Sequence, residues 1–290
     1  MFFLLENGAW DNIITLPLGN RTTKPRNKGL TMVIDKGLGI QETRDLLEIG
    51  ADYIDFLKLG FGTAAFYSQK LLQEKIDLVK SYNVEIYPGG TFLEVAYYQK
   101  RAAHFLDRVK KLGFNFVEVS DGTITLNPKE RRDLVAMSLD RGLRVLTEVG
   151  KKDKRAKVSI ESLYEQVQQD LECGAYKVIM EGRESGKGIG LYDENGKLIE
   201  NKFDQFANKI VNVDDIIWEA PLTNQQLEFI VKIGTDVNMG NIAYNEVLAL
   251  EALRTGLRGD TFNLVISYEN TKEQELPPVL RKLVAAWNLR

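Results

Sequence analysis

Three glutamates stand at the ends of three successive apolar runs in the second half of the 290-residue chain. Glu148 closes the run LRVLTE, Glu181 closes YKVIME and Glu219 closes DIIWE. If these runs are neighbouring strands of a parallel sheet, their carboxylates meet at one edge of that sheet. Three carboxylates form an all-oxygen site, which suits Mg²⁺ rather than Zn²⁺. The alternative is that each glutamate pairs with a nearby lysine or arginine.

Lysines accompany these carboxylates. Side chains of a strand alternate between two faces, so Lys152 shares a face with Glu148, whereas Lys151 belongs to the opposite face. Lys58, in DFLKLGFGT, is a second inward-facing candidate, either for substrate binding or for a structural ion pair.

The only histidine, His104, lies on a predicted helix away from the strand ends. We therefore expect neither a histidine base nor a histidine zinc site, so that lysine or carboxylate must move any protons. Lys152 and Lys58 are the predicted catalytic residues.

Other polar side chains also lie where the apolar runs end. They are Asp35, Lys36, Glu118, Asp121, Arg183, Glu184, Asn238 and Asn241. The glycine-rich turns GFGT and PGGT add backbone N–H groups that can face an anion at a helix N-terminus, although such turns also occur for steric reasons alone. A strand end that served only packing would not need charge so consistently, so we expect the set as a whole to mark a functional site.

These residues are carried by a repeated strand–helix pattern. Eight apolar runs, each followed by a stretch with helical spacing, begin at Thr31, Tyr53, Val84, Phe116, Leu143, Tyr176, Asp215 and Asp236. The repetition predicts an α/β fold closed into a (β/α)₈ barrel, in which reactive groups lie at the carboxyl ends of the strands. An open doubly wound sheet is the alternative, but the first strand is not followed by its usual GxGxxG phosphate fingerprint.

The pattern also sets the predicted boundaries. We divide the chain into a lead-in over residues 1–30, a single barrel domain over residues 31–262 and a C-terminal linker and helix over residues 263–290. Residues 186–203 are polar and glycine-rich and contain an ENGK turn, which predicts a hairpin inserted after the sixth strand. That hairpin is either a plain surface feature or a lid over an anion site.

Composition narrows the class of protein. Lysine plus arginine number 38 and aspartate plus glutamate 41, so the net charge of −3 does not favour nucleic acid or an anionic membrane as partner. One cysteine, Cys173, allows no intramolecular disulfide. No segment has the length and apolarity of a membrane span or a signal peptide, so we expect a cytoplasmic protein.

Motifs along the chain resemble the phosphosulfolactate synthase family. They occur in the family's order from about residue 30 to residue 262, and several are long and unusual: DKGLG, YIDFLKLGFGT, YPGGTF, VEVSDG, LTEVGKKD, MEGRESGKGIGLYD, WEAPLTNQQ, VNMGNI and EALRTGLRGDT. The resemblance implies a TIM barrel. It also implies a carbon–sulfur lyase that, with Mg²⁺, adds sulfite to C3 of phosphoenolpyruvate and gives (2R)-phospho-3-sulfolactate. In methanogens this reaction begins coenzyme M synthesis, and related bacterial proteins are linked to sulfolactate.

The resemblance gives the predicted residues their roles. As sulfite attacks the methylene carbon, negative charge builds on the substrate carboxylate, where Mg²⁺ held by Glu148, Glu181 and Glu219 would stabilise it. Lys152 is the predicted acid that protonates C2 on one face. Both substrates are anions, and the predicted residues for binding them are Lys36, Lys58, Lys151, Arg183, Lys187, Asn238 and Asn241.

Two other functions stay open. The family also includes plant relatives associated with heat stress, for which enzyme activity is not the established role, so a non-catalytic barrel protein is one alternative. A barrel aldolase that forms a Schiff base on Lys58 or Lys152 is the other. We further expect a homo-oligomer, with the C-terminal helix packed on the outside of the barrel or on a neighbouring subunit.

Overall fold

A parallel eight-stranded sheet forms the centre of the fold. The computed structural model describes residues 9–10, 13–151 and 159–271. The strands follow one another in the order β3-β2-β1-β8-β7-β6-β5-β4, and every described pairing is parallel. Strands β3 and β4, at the two ends of this order, also lie side by side. The sheet is therefore nearly closed into the predicted (β/α)₈ barrel, and the open doubly wound alternative is wrong.

All eight predicted strands are present, and the helices alternate with them. The strands are β1 (Thr31–Asp35), β2 (Phe56–Leu59), β3 (Glu85–Pro88), β4 (Phe116–Val119), β5 (Arg144–Val149), β6 (Lys177–Met180), β7 (Ile216–Glu219) and β8 (Met239–Ala243). The helices are α1 (Ile40–Gly50), α2 (Gln69–Ser81), α3 (Gly90–Tyr98), α4 (Ala102–Lys111), α5 (Pro128–Leu139), α6 (Ile160–Glu172), α7 (Glu200–Ala207), α8 (Thr223–Lys232), α9 (Val247–Thr255) and α10 (Gly259–Thr271).

The barrel interior is filled by large apolar side chains. Residues in the strands, together with Leu30 just before β1, form one cluster there: Leu30, Met32, Phe56, Tyr87, Phe116, Leu146, Ile179 and Ile217. The opposite faces of the strands pack against the helices in two larger clusters. Because side chains two residues apart share a face, the residues that follow Phe56, Phe116, Leu146, Ile179 and Ile217 by two positions also face the barrel axis.

The seam between β3 and β4 is joined by side chains. In the described part of the chain these two strands have no ladder pairing. At the amino end of the seam, Asn115 Nδ2 donates to Glu85 Oε2 at 2.9 Å. At the carboxyl end, the backbone N–H of Gly90 donates to Glu118 Oε1 at 2.7 Å. Side-chain hydrogen bonds thus close the barrel where the backbone ladder does not.

The segment after β6 contains a short hairpin. Tyr192 and Leu198 form an antiparallel bridge, and the Asp193 N–H donates to the Lys197 carbonyl at 2.9 Å. Gln225, in the first turn of α8, donates to the carbonyl oxygens of Gly186 and Gly196 at 2.7 and 3.0 Å. The predicted hairpin is therefore confirmed, but it is shorter than residues 186–203 because α7 begins at Glu200.

Helix α10 crosses the expected end of the barrel domain at residue 262. Residues 152–158 and 272–290 lie outside the described residues, so the predicted division of the chain stays a prediction. Among the described residues, no helix is both long enough and apolar enough to cross a membrane.

Candidate active site

The three predicted glutamates meet inside the carboxyl end of the barrel. Glu148, Glu181 and Glu219 each offer a carboxylate oxygen, and these oxygens lie within 4.8 Å of one another. Their residues are at most 2% exposed. The backbone amide of Gly182 donates to Glu219 Oε2 at 2.9 Å, and that of Arg183 to Glu181 Oε1 at 2.6 Å. The loop after β6 thereby orients two of the three carboxylates.

Lys58 lies against this cluster and is surrounded by acid. Its ammonium nitrogen is 3.0 Å from Glu118 Oε2, 3.2 Å from Glu148 Oε2 and 3.4 Å from Glu219 Oε1. The predicted inward orientation of Lys58 agrees with this geometry. Glu118 is a fourth member of the site that sequence reasoning noted at a strand end but left without a role. Strand parity was the available signal, since Glu118 follows the interior residue Phe116 by two positions.

These carboxylates fix the protonation state of Lys58. Burial alone would lower the pKa of the ammonium, but the Coulomb attraction of Glu118, Glu148 and Glu219 is larger, so the pKa lies well above its ordinary value. At neutral pH the nitrogen therefore holds its third proton and has no lone pair with which to attack a carbonyl carbon. The protonated state of Lys58 therefore disfavours an aldolase that forms its Schiff base on Lys58.

The donor set fits a hard divalent cation. Carboxylate oxygens from three adjacent strands converge in a buried space, and oxygen ligands of this kind suit Mg²⁺. Burying this many acidic groups together is costly without compensating positive charge. Lys58 supplies one such charge, and a bound cation would supply two more.

The basic residues predicted for substrate binding occupy different positions at the mouth. Lys36, in the loop after β1, forms a 2.5 Å ion pair with Glu184 in the loop after β6, and both side chains are half exposed. Arg183 is partly buried and has a left-handed backbone conformation, with φ of 58°. Lys187 is exposed. Lys36, Arg183 and Lys187 are therefore placed where an anion could approach from solvent.

Lys151 points into the loop that follows β4. Its ammonium donates to Asp121 Oδ2 at 2.5 Å, to the Asp121 carbonyl at 2.6 Å and to the Ile124 carbonyl at 3.3 Å. This agrees with the strand parity that placed Lys151 on the face opposite Glu148. Lys152, the predicted proton donor, lies outside the described residues.

The two asparagines of the β8 region lie in different places from those expected. Asn238 precedes β8, and its side chain accepts from Leu30 N–H at 2.9 Å and donates to the carbonyls of Asp214 and Ile216. The expectation that Asn238 lies at the carboxyl end of its strand is wrong, because β8 begins only at Met239. Asn241 sits within β8 at a register shift against β1, buried and with φ of 55°, and its Oδ1 accepts no hydrogen bond from the described residues.

A glycine allows the seam to close beside this cluster. A Cβ on Gly90 would contact Ser120 Oγ and lie 2.7 Å from Glu118 Oε1. Because no side chain fits there, the PGGT turn serves the close approach of α3 to Glu118. This is the steric role that glycine-rich turns often have.

Solved structures share the architecture of this chain. The YdjI aldolase from Escherichia coli K12 superposes with a TM-score of 0.52 at 11% identity, covering 91% of this chain and 89% of that one. The 3-hexulose-6-phosphate synthase from Salmonella typhimurium gives a TM-score of 0.52 at 11% identity and covers 79% of this chain and 100% of that one. At such low identity the likeness concerns the fold alone.

Sequence comparisons give a closer relationship. The model of the family described as (2R)-phospho-3-sulfolactate synthase (ComA) matches residues 19–260. The phosphosulfolactate synthase of Methanocaldococcus jannaschii is 47% identical over 240 residues, which are 82% of this chain and 95% of that protein. The phosphosulfolactate synthases of Methanothermobacter thermautotrophicus and Bacillus subtilis are 45% and 38% identical, covering 84% and 87% of this chain and 95% and 100% of theirs. The chain therefore belongs to the (2R)-phospho-3-sulfolactate synthase family.

Proposed function

We propose that this protein is a Mg²⁺-dependent phosphosulfolactate synthase, a carbon–sulfur lyase that adds sulfite to C3 of phosphoenolpyruvate and forms (2R)-phospho-3-sulfolactate. The observation that carries the proposal is the convergence of Glu148, Glu181 and Glu219 beside the buried Lys58 at the carboxyl end of the barrel. Family membership and the names of the relatives support the same activity.

Glu148, Glu181 and Glu219 are the residues that would hold the metal ion. When bound, Mg²⁺ supplies positive charge beside the substrate carboxylate, where negative charge accumulates as sulfite adds to the double bond. Lys58 forms ion pairs with Glu148 and Glu219, and its ammonium adds a second fixed positive charge within the barrel. The site thus offers the electrostatic stabilisation that the addition needs.

The rim cations are assigned to the phosphate and the sulfite. Arg183 and Lys187 lie in the glycine-rich loop after β6, and Lys36, in the loop after β1, forms an ion pair with Glu184 of that same loop. Guanidinium and ammonium groups bind phosphate and sulfur oxyanions through charge-assisted hydrogen bonds. Lys152 is assigned as the acid that protonates C2, because it follows the β5 strand end and matches the family's motif. This division of roles explains how a protein of net charge −3 could bind two anions.

The remaining assignments follow from the proposed reaction and the composition. We assign the product to the synthesis of coenzyme M or to sulfolactate formation, the protein to the cytoplasm and the assembled form to a homo-oligomer. Light scattering coupled to size exclusion gives the mass of the assembly, and a mass equal to the 32.9 kDa chain would contradict the homo-oligomer.

The reaction is tested by following the loss of the enol absorbance of phosphoenolpyruvate with sulfite and Mg²⁺. We expect consumption that needs both sulfite and metal, stops with EDTA and is lost in Lys152→Ala. Lys129→Ala is the matched control, because Lys129 is exposed on α5 and forms an ion pair with the exposed Asp133. No consumption by folded wild-type protein would overturn the synthase and favour the non-catalytic alternative. Consumption without added metal that persists in EDTA would overturn the role of Mg²⁺.

A further inference from the structure

A buried arginine outside the carboxylate cluster contacts the backbone of one of its members. Arg131 lies in the first turns of α5, which begins at Pro128 behind a capping box formed by Asn127 and Glu130. Its side chain is 2% exposed. The Nη2 atom donates to the backbone carbonyl of Glu148 at 2.9 Å, at the end of β5. The Arg131 side chain thus connects α5, on the outside of the barrel, to the end of the strand that carries the Glu148 carboxylate.

Arg131 is itself held by a carboxylate from the next helix. Asp170, on α6, accepts from Arg131 Nε at 2.8 Å and from Nη2 at 2.6 Å, which is a bidentate pair. Gln166 donates a further hydrogen bond to Asp170 Oδ1 at 3.0 Å. Burial opposes the charge of Arg131, but the hydrogen bond and charge of Asp170 outweigh burial and raise the pKa of the guanidinium. The planar fork is therefore fixed in one orientation.

The third nitrogen extends this contact to the neighbouring loop. Arg131 Nη1 donates to Asp121 Oδ1 at 3.1 Å, and the other oxygen of Asp121 accepts from Lys151. One guanidinium therefore connects helix α6, the loop after β4, the end of β5 and, through Asp121, Lys151, which lies two residues beyond β5. A lysine in this position could not make these contacts together, because it lacks the planar fork.

We propose that Arg131 is a positioning residue for the active site, which fixes the end of β5 so that the Glu148 carboxylate faces its metal-binding partners. The inference rests on the proposed function for its metal ion. A carboxylate ligand must be held to within a fraction of an ångström, and loss of the groups that orient metal ligands typically reduces metal affinity or activity about 10- to 100-fold. Asp170 anchors the arginine, and Asp121 transmits the same constraint to Lys151.

The test measures Mn²⁺ binding, a probe for the Mg²⁺ site, from the paramagnetic resonance signal of free Mn²⁺. In Arg131→Lys the positive charge beside Asp170 stays, so the variant is expected to melt cooperatively, yet its Kd for Mn²⁺ rises about 10- to 100-fold. Arg141→Lys is the matched control: Arg141 lies just after the end of α5, pairs with the exposed Asp107 and should bind Mn²⁺ within twofold of wild type. Unchanged Mn²⁺ affinity in folded Arg131→Lys would overturn the inference.

A second variant keeps the test decisive if Arg131→Lys fails to fold. Asp170→Asn has nearly the same shape and retains one acceptor for the guanidinium, and we expect its Kd for Mn²⁺ to rise at least fivefold. Asp121→Ala leaves the contact to the Glu148 carbonyl in place, so it should lower kcat/KM while its Mn²⁺ affinity stays within twofold of wild type. Two results would contradict the inference that Arg131 acts through the Glu148 carbonyl. One is an unchanged Mn²⁺ affinity in Asp170→Asn. The other is a loss of Mn²⁺ affinity in Asp121→Ala that is as large as the loss in Arg131→Lys.

Wild-type measurements separate this inference from the proposed function. Wild-type protein that binds Mn²⁺ and consumes phosphoenolpyruvate with sulfite supports the function, whatever the Arg131 variant does. If the wild type binds no Mn²⁺, the metal site and the positioning role fail together. If the wild type binds Mn²⁺ and the Arg131 variant binds it equally well, only the positioning role fails.

Discussion

Lys58 combines deep burial with a charge, and its surroundings explain why the charge persists. An isolated ammonium in the barrel interior would lose its proton or destabilise the fold, because desolvation disfavours the charged form. Three carboxylates between 3.0 and 3.4 Å away reverse that preference. In this site Lys58 therefore acts as a fixed cation that neutralises part of the acidic cluster and holds its geometry.

A protonated Lys58 should not form an imine. We expect no borohydride-stable adduct on Lys58 when the protein is incubated at pH 7 with pyruvate and borohydride, because the raised pKa keeps the nitrogen without a free lone pair. Intact-mass and peptide-mass measurements provide the readout, with exposed Lys129 as an internal reference for non-specific labelling. A stoichiometric adduct on Lys58 would contradict this prediction and restore the aldolase alternative.

Removal of a single carboxylate should weaken metal binding selectively. In Glu219→Gln one anionic ligand is lost while side-chain volume stays the same, so we expect Mg²⁺ affinity measured by calorimetry to fall about tenfold or more. Glu161→Gln, which alters an exposed ion pair with Lys209 on the outer surface, serves as control and should bind Mg²⁺ like wild type. Equal affinities in the two variants would argue against Glu219 as a ligand.

At the scale of elements, the strands set the site by their parity and their order. Interior residues Leu146, Ile179 and Ile217 bring the following glutamates to one mouth, and this part was predictable from period-two alternation. The partners of Lys58 were not predictable, because Glu148 and Glu219 are 90 and 161 residues distant in sequence and meet Lys58 only after the barrel closes.

Other misses have local causes in the elements. Asn238 was misplaced because an apolar run does not reveal the residue at which ladder pairing starts. Asn241 lies where β8 carries an extra residue relative to β1, and such a bulge changes which side chains face inward. The Arg131 contacts depend on the packing of α5 and α6 against β5, which periodicity does not report.

The turn from β3 into α3 should tolerate no side chain at Gly90. In Gly90→Ala the new methyl group collides with Ser120 Oγ and Glu118 Oε1, so we expect a loss of roughly 1–3 kcal/mol in the free energy of unfolding. Gly259→Ala is the matched control, since a Cβ there meets nothing within 4 Å and alanine is the better helix former at the start of α10. Urea denaturation of both variants measures the difference, and equal stability would show that the seam relaxes around the methyl group.

At the scale of the whole molecule, the carboxyl end of the barrel carries the proposed chemistry, and contacts at the amino end contribute only to stability. The acidic cluster occupies the carboxyl end, whereas at the amino end the amide of Asn238 accepts from the Leu30 N–H and donates to the carbonyls of Asp214 and Ile216. Barrels commonly divide their two faces in this way. A substitution at the amino end should therefore lower stability without changing metal binding.

Asn238→Ala tests that separation. It leaves the Leu30 N–H and the carbonyls of Asp214 and Ile216 without their side-chain partner, so we expect a loss of roughly 2–4 kcal/mol in the free energy of unfolding. Mg²⁺ affinity should stay within twofold of wild type. Asn201→Ala, exposed on α7, is the control and should change neither quantity. Weakened Mg²⁺ binding in folded Asn238→Ala would show that the two ends are coupled.

The seam between β3 and β4 links function to the solubility of the chain. Glu118 both neutralises Lys58 and accepts the hydrogen bond of Gly90 that holds the two strands together. An opened seam would present two strand edges with free backbone groups, and such edges promote association between molecules. A substitution at residue 118 that removes the acceptor oxygen therefore changes the charge of the site and the closure of the seam together. Substitutions at the rim, on Lys36, Arg183 and Lys187, leave the seam unaltered.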